Sequence, residues 1–258
     1  MERSFKDYIA NPLGAKSAVM SSREMYNAMY TSKFNLLMVR ENSKIHYELF
    51  KGEKNYYIYL KIPSEQIKDF YYDVVVQFVP TKISDLENKL DNYTVRFYSN
   101  DPSFVFTFAH AFIKNDMFIN DLKPKMSKLA IKNNANEKNP DNQIGYVKSL
   151  YFAYLFIKSR GLFNKVHYVA AKKYDKNYLL STIMEADEKI RLRQEAAQEL
   201  NKSKRGEQTK QQTHNNPFGF NWNKSNFVSN VSKVNPVGKV ITDMKSKFVR
   251  KTKTTKRF

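Results

Sequence analysis

KIHYELFKGEKNYYIYLKIPSEQIKDFYYDVVVQFV, residues 44–79, is the stretch whose reading decides the fold. Tyr56, Ile58, Leu60 and Ile62 point one way along it, and Tyr57, Tyr59 and Lys61 the other. That two-residue period belongs to an extended chain, because successive side chains leave a strand on opposite faces. KIHYELF and NYYIYLKIP flank KGEK, so the first two runs read as a hairpin. FYYDVVVQFV follows as a nearly continuous β-branched run, the pattern of a strand buried on both faces. Downstream, YTVRFY at 93–98 sets Tyr93, Val95 and Phe97 on an inner face, and a short helical linker is expected between them around SDLENKL. Four strands with short connections predict an antiparallel sheet.

Helical patterns surround this sheet. SSREMYNAMYTSKFNLLMVR, residues 21–40, opens with Ser21 as cap and Glu24 three residues on, and Met25, Ala28, Met29 and Leu36 give one apolar side. Upstream, Pro12 and Gly14 force a turn in an irregular lead-in. Asp101 as cap and Pro102 at the first helical position open a helix through Phe104, Val105, Phe108, Ala109 and Phe112. Residues 123–144 form a polar, basic loop with one helical turn. IGYVKSLYFAYLFIKSRG reads as an apolar helix stopped by Gly161, VHYVAA as a short strand, and residues 175–200 as one last helix capped by Asp175. The fold class is therefore α+β: an antiparallel sheet of about four strands packed with three to four helices, over residues 1–200, followed by an extended basic C-terminal arm over 201–258.

Charge separates the two parts. The first 200 residues hold 30 basic and 23 acidic side chains, whereas the last 58 hold 14 and 2. The arm is rich in Asn, Ser, Thr, Gln and Lys and lacks a sustained apolar period, so it is expected to order only against a partner. Lys202, Lys204 and Arg205 begin it, and Lys245, Lys247, Arg250, Lys251, Lys253, Lys256 and Arg257 end it. Such a run suits a polyanion such as DNA, held through phosphates with little sequence readout because Lys acts as a point charge. A run that merely keeps the chain soluble has the same composition. No amphipathic helix or lipidation motif lies beside it, so a membrane surface is not the expected partner. Phe218, Phe220 and Trp222 recur at every second residue and Phe227 follows, which suits docking on a sheet edge or groove of another subunit. Stacking of these rings on unpaired bases is the alternative.

Several chemistries are excluded. The chain has no Cys, which removes disulfides, thiolate metal sites and cysteine nucleophiles. Its 7 glycines never cluster, so no phosphate-cradling Gly-rich loop is present. His46, His110, His167 and His214 are scattered without metal-ligand spacing and read as packed or hydrogen-bonded residues. Asp73, Asp101, Asp116 and Asp121 are the carboxylates a metal-dependent nuclease would need, but Asp101 reads as a cap and Asp73 is expected to pair with Arg96 across the sheet. No catalytic residue, metal or cofactor is expected. The longest near-apolar run, Leu150 to Ile157, falls short of a membrane span. Tyr56, Tyr57, Tyr59, Tyr71, Tyr72, Tyr93 and Tyr98 are too many for one interior, so a tyrosine-bearing sheet face is expected at a subunit interface.

The stretches VRFYSNDPSFVFTFAHAFIKNDMF and IGYVKSLYFAYLFIKSRGLFNK, in a Lys- and Asn-rich background, resemble uncharacterised virion structural proteins of tailed phages of low-GC Gram-positive bacteria. The resemblance covers residues 1–200, and neither stretch has a known chemical role, so it assigns no functional residue. It implies a non-enzymatic head-to-tail connector or tail component that contacts other virion proteins and copies of itself. Its place would be the virion, and the host cytoplasm before assembly. A free nucleic-acid-binding accessory protein that uses the same basic arm is the alternative.

Overall fold

The computed structural model describes residues 3–10, 20–40, 45–81, 88–132, 139 and 141–214, with the backbone alone at 20–26, 40 and 204–214. The chain divides into two units, Met1–Asn201 and Lys202–Phe258, and the fold is that of the first. Its centre is a sheet of β1 (His46–Lys51), β2 (Tyr56–Pro63), β3 (Tyr71–Val79), β4 (Thr94–Ser99) and β5 (Lys172–Lys173), in the order β4-β3-β2-β1-β5. The first four strands pair antiparallel in sequence order, as their alternation and short turns require. The fifth makes the sheet mixed: Lys172 and Lys173 pair parallel with Phe50 and Lys51. A two-residue strand carries no alternation, so nothing in its sequence marks it.

Among the described residues there are seven α-helices, more than the three to four expected: α1 (Phe5–Ala10), α2 (Met20–Arg40), α3 (Ala109–Lys114), α4 (Lys128–Lys132), α5 (Lys148–Ser159), α6 (Lys176–Thr182) and α7 (Ala186–His214). None is long and apolar enough to cross a membrane. α2 begins at Met20, one residue ahead of the expected Ser21 cap, and it buries Phe34 and Leu37, while Met29 and Leu36 are exposed. VHYVAA is a 3-10 turn over Lys165–Tyr168 in place of a strand. The expected last helix is broken in two. Asp175 caps α6 by accepting from Asn177 N, but Ile183 is buried in an extended conformation between α6 and α7. Its ψ of 127° leaves the helical region, so α6 stops there and α7 starts anew at Ala186. The linker expected around SDLENKL lies mostly at 82–87, outside the described residues, and its Lys89 forms an isolated bridge with Asn164.

Both faces of the sheet are covered. On one, Phe97 packs against Phe5 and Tyr8 of α1 at 4.9 and 5.2 Å between ring centroids, and Ser99 Oγ lies 3.2 Å from Ser149 Oγ of α5. α2 lies over α5 through Phe34 and Phe152. On the other face, Tyr98 packs on Phe118 and donates to the Lys125 carbonyl, and Phe50 meets Tyr178 of α6. The expected tyrosine-bearing surface is therefore an interior: Tyr57, Tyr59, Tyr72, Tyr93 and Tyr98 are buried, and Tyr56 and Tyr71 half-buried. Two covered faces hold more rings than the single covered face assumed from alternation. The outer edge of β4 is closed too, since Val95 N donates to Arg3 O and Phe97 exchanges hydrogen bonds with Met117 and Ile119, which leaves no row of open backbone groups there.

Asp101 accepts from Ser103 N and starts the expected helix, whose first part, Phe104–Phe108, has π-helical hydrogen bonding. α5 ends at Ser159, and Gly161 takes φ +65°, where a residue without Cβ turns the chain at no steric cost. Gly145 has a different reason to be glycine, because a Cβ there would lie 2.0 Å from the Phe108 ring.

Candidate functional site

The four carboxylates that a metal-dependent nuclease would need are dispersed onto separate partners. Asp73 is buried, with Oδ1 accepting from Tyr59 Oη at 2.7 Å and Oδ2 from Asn100 Nδ2 at 2.8 Å, while its backbone N donates to Asn100 Oδ1. The expected Asp73–Arg96 pair does not form: in register Asp73 faces Lys61 and Arg96 faces Gln77. Arg96 Nη2 reaches Asp116 Oδ2 at 2.6 Å instead. Asp121 accepts from Tyr174 Oη, and Asp101 is the cap already described. Among the described residues no three His, Asp or Glu side chains gather as metal ligands. His110 Nδ1 lies 3.1 Å from the Ile131 carbonyl, as a hydrogen-bonded histidine should, whereas His46 and His167 are exposed, because the strand end and the 3-10 turn that carry them lie at the surface.

Among the described residues, cations from three helices converge on a cleft. A cleft of about 320 Å³ opens between α2, the β2–β3 loop, the start of the helix after Asp101, the start of α5, and α7. Lys33, Lys148 and Arg193 bring three cations to it from three helices, against Glu65 and Asp101. Lys148 Nζ lies 2.6 Å from Glu65 Oε2, and Lys33 Nζ 4.0 Å from Glu65 Oε1. Arg193 donates through Nε to Tyr72 Oη at 2.8 Å and through Nη2 to Gln66 Oε1 at 3.0 Å. Burial, with Asp101 nearby, pushes the Tyr72 phenol above its ordinary range, and Arg193 opposes that shift. The loop is shaped locally: Ser64 Oγ accepts from the backbone N of Gln66 and Ile67, which presents Glu65 to the cleft. One turn before Arg193 on α7, Lys189 lies 5.0 Å over the Phe70 ring, and burial holds its ammonium below the usual lysine range.

The cleft is not legible in the sequence because its charged residues, Lys33, Glu65, Asp101, Lys148 and Arg193, lie 32 to 160 positions apart and none belongs to a spaced motif. The residues singled out in the sequence lie elsewhere. Lys202, Lys204 and Arg205 are on α7, which is helical to His214 where an extended arm was expected from residue 201. Ala186 and Ile190 anchor the start of that helix in the core, strong helix formers such as Glu and Gln continue it, and Leu200 is 40% exposed. Lys245, Lys247, Arg250, Lys251, Lys253, Lys256, Arg257, Phe218, Phe220, Trp222 and Phe227 lie outside the described residues.

No protein-family model, no curated protein and no solved structure matches this chain.

Proposed function

We propose that this chain is a non-enzymatic structural part of a tailed-phage virion, in the connector or tail region, whose C-terminal segment binds nucleic acid or a neighbouring subunit. The observation that carries this reading is the partition of charge: 14 basic and 2 acidic side chains in the last 58 residues, against 30 and 23 in the preceding 200. A polyanion neutralises such a segment and releases its own counterions in doing so, which drives binding without sequence readout. Contacts to neighbours fall to Phe218, Phe220, Trp222 and Phe227, since the sheet tyrosines are taken up inside the first unit.

Two measurements test it. Mass spectrometry of purified particles should find this chain at stoichiometric abundance, and its absence would reject the virion assignment. Nucleic-acid binding should weaken with salt at a log–log slope of about −5, as for about six neutralised phosphates. Removing residues 215–258, a cut that spares α7, should abolish that binding. Undiminished binding by the shortened chain would show that the basic segment is not the contact.

A further inference from the structure

Three cations in one cleft usually announce an anion, and here the anion already present is part of the protein. Glu65 sits between Lys148 and Lys33, while Arg193 has no carboxylate partner among the described residues. Its guanidinium spends two of five donors on neutral oxygens, those of Tyr72 and Gln66. With Glu65 turned outward, the cleft would keep Lys33, Lys148 and Arg193 against Asp101, whose Oδ1 is engaged by Ser103 N. A guanidinium fork flanked by two ammonium groups matches a phosphate better than a single carboxylate, because phosphate presents three acceptor oxygens and about twice the charge. The field of α5 has the same sign: Lys148 is its first residue, and Val147 at the cap position provides no side-chain acceptor. A volume of about 320 Å³ falls in the range of clefts that hold small ligands, about 300–1,000 Å³.

We propose that this cleft is a phosphate-binding site, in which Arg193, Lys148 and Lys33 take a phosphate group in exchange for the carboxylate of Glu65. Glu65 is then a built-in competitor that holds the cations in place while the site is empty. It lies on a loop, so withdrawing it disturbs no strand or helix. The phosphate belongs to a small phosphorylated molecule or to a nucleic-acid strand, and the same residues would grip either.

The test is isothermal titration of the full chain with adenosine monophosphate and, separately, with a short DNA duplex. Arg193→Gln should weaken binding about tenfold or more, as expected for loss of charge-assisted hydrogen bonds, whereas Arg193→Lys should retain part of it. Glu65→Gln should strengthen binding, because the competitor loses its charge; a purely structural ion pair predicts no gain. A response of adenosine monophosphate binding to these variants identifies a free phosphorylated ligand. A response of duplex binding alone identifies a nucleic-acid phosphate. If neither probe responds to Arg193→Gln or Glu65→Gln, with thermal melts showing both variants folded, the site does not exist. The basic C-terminal segment is intact in every variant, so duplex binding that persists unchanged leaves the charge-partition reading standing while this one falls.

Discussion

The ring of Tyr174 lies flat on that of Tyr57, their centroids 3.9 Å apart and their planes 10° from parallel. Tyr57 is on β2 and Tyr174 on the approach to α6, so this contact fastens the second cover of the sheet. On the other side of the same strand, Tyr56 packs edge-on against Tyr168. Replacing Tyr174 by Ala should lower stability by about 2–4 kcal/mol, through lost ring burial and lost stacking. Tyr174→Phe keeps the stack and loses only the hydrogen bond to Asp121 Oδ2, costing about 0.5–1.5 kcal/mol. Urea unfolding of the two variants measures the difference, and equal losses would contradict the stacking account.

Asp73 and Arg96 should behave very differently on substitution. Asp73→Ala strips two buried donors, Tyr59 Oη and Asn100 Nδ2, of their acceptor and should cost about 2–5 kcal/mol. Arg96→Ala breaks an ion pair with an exposed carboxylate and should cost no more than about 1 kcal/mol. Were the two residues partners across the sheet, a double-mutant cycle would return a coupling. Their separate partners predict additivity within about 0.5 kcal/mol.

Alkaline pH should unfold this protein cooperatively. Burial raises the phenol of Tyr8, Tyr98 and Tyr168 above the ordinary value near 10, and Asp73 adds to the rise at Tyr98. Above pH 10 the folded state therefore holds protons that the unfolded state has released. The contribution of each phenol is complete below pH 10 and declines at about 1.4 kcal/mol per pH unit beyond it. Phenolate absorbance should rise in two stages, exposed rings first and buried rings together with the loss of circular dichroism. Smooth titration of all the tyrosines with the fold intact would contradict this assignment.

Gly145→Ala should destabilise by about 1–3 kcal/mol, since the new methyl group meets the Phe108 ring far inside contact distance. Gly145 also offers its carbonyl to Tyr8 Oη, so the backbone cannot retreat without breaking a buried hydrogen bond. Shortening Phe108 to Leu in the same chain should return part of that stability. A thermal melt of the double variant no better than Gly145→Ala alone would place the clash elsewhere.

Much of the fold was legible because each element carried its own local cause. The hairpin at 46–63 followed from alternation about KGEK, the interior strand from VVV beside Phe and Tyr, α5 from an apolar run closed by Gly161, and α6 from its Asp175 cap. What misled was reasoning that treated one sheet face as open. With that face open the tyrosines are surplus, and the expectation reverses because α6 and residues 118–125 cover it; Asp73 finds Tyr59 and Asn100 in place of Arg96.

The amino-acid sequence by itself determined the periods of β1–β4, the caps at Asp101 and Asp175, the stop at Gly161, and the concentration of basic charge in the last 58 residues, because these depend on neighbours within a few positions. Only the tertiary structure decided which helix faces are buried, where the last helix breaks around Ile183, what Asp73 bonds to, and that Lys33, Lys148 and Arg193 meet at one cleft. Those outcomes depend on which distant segments share space, and packing two covers onto one sheet settles that for all of them at once.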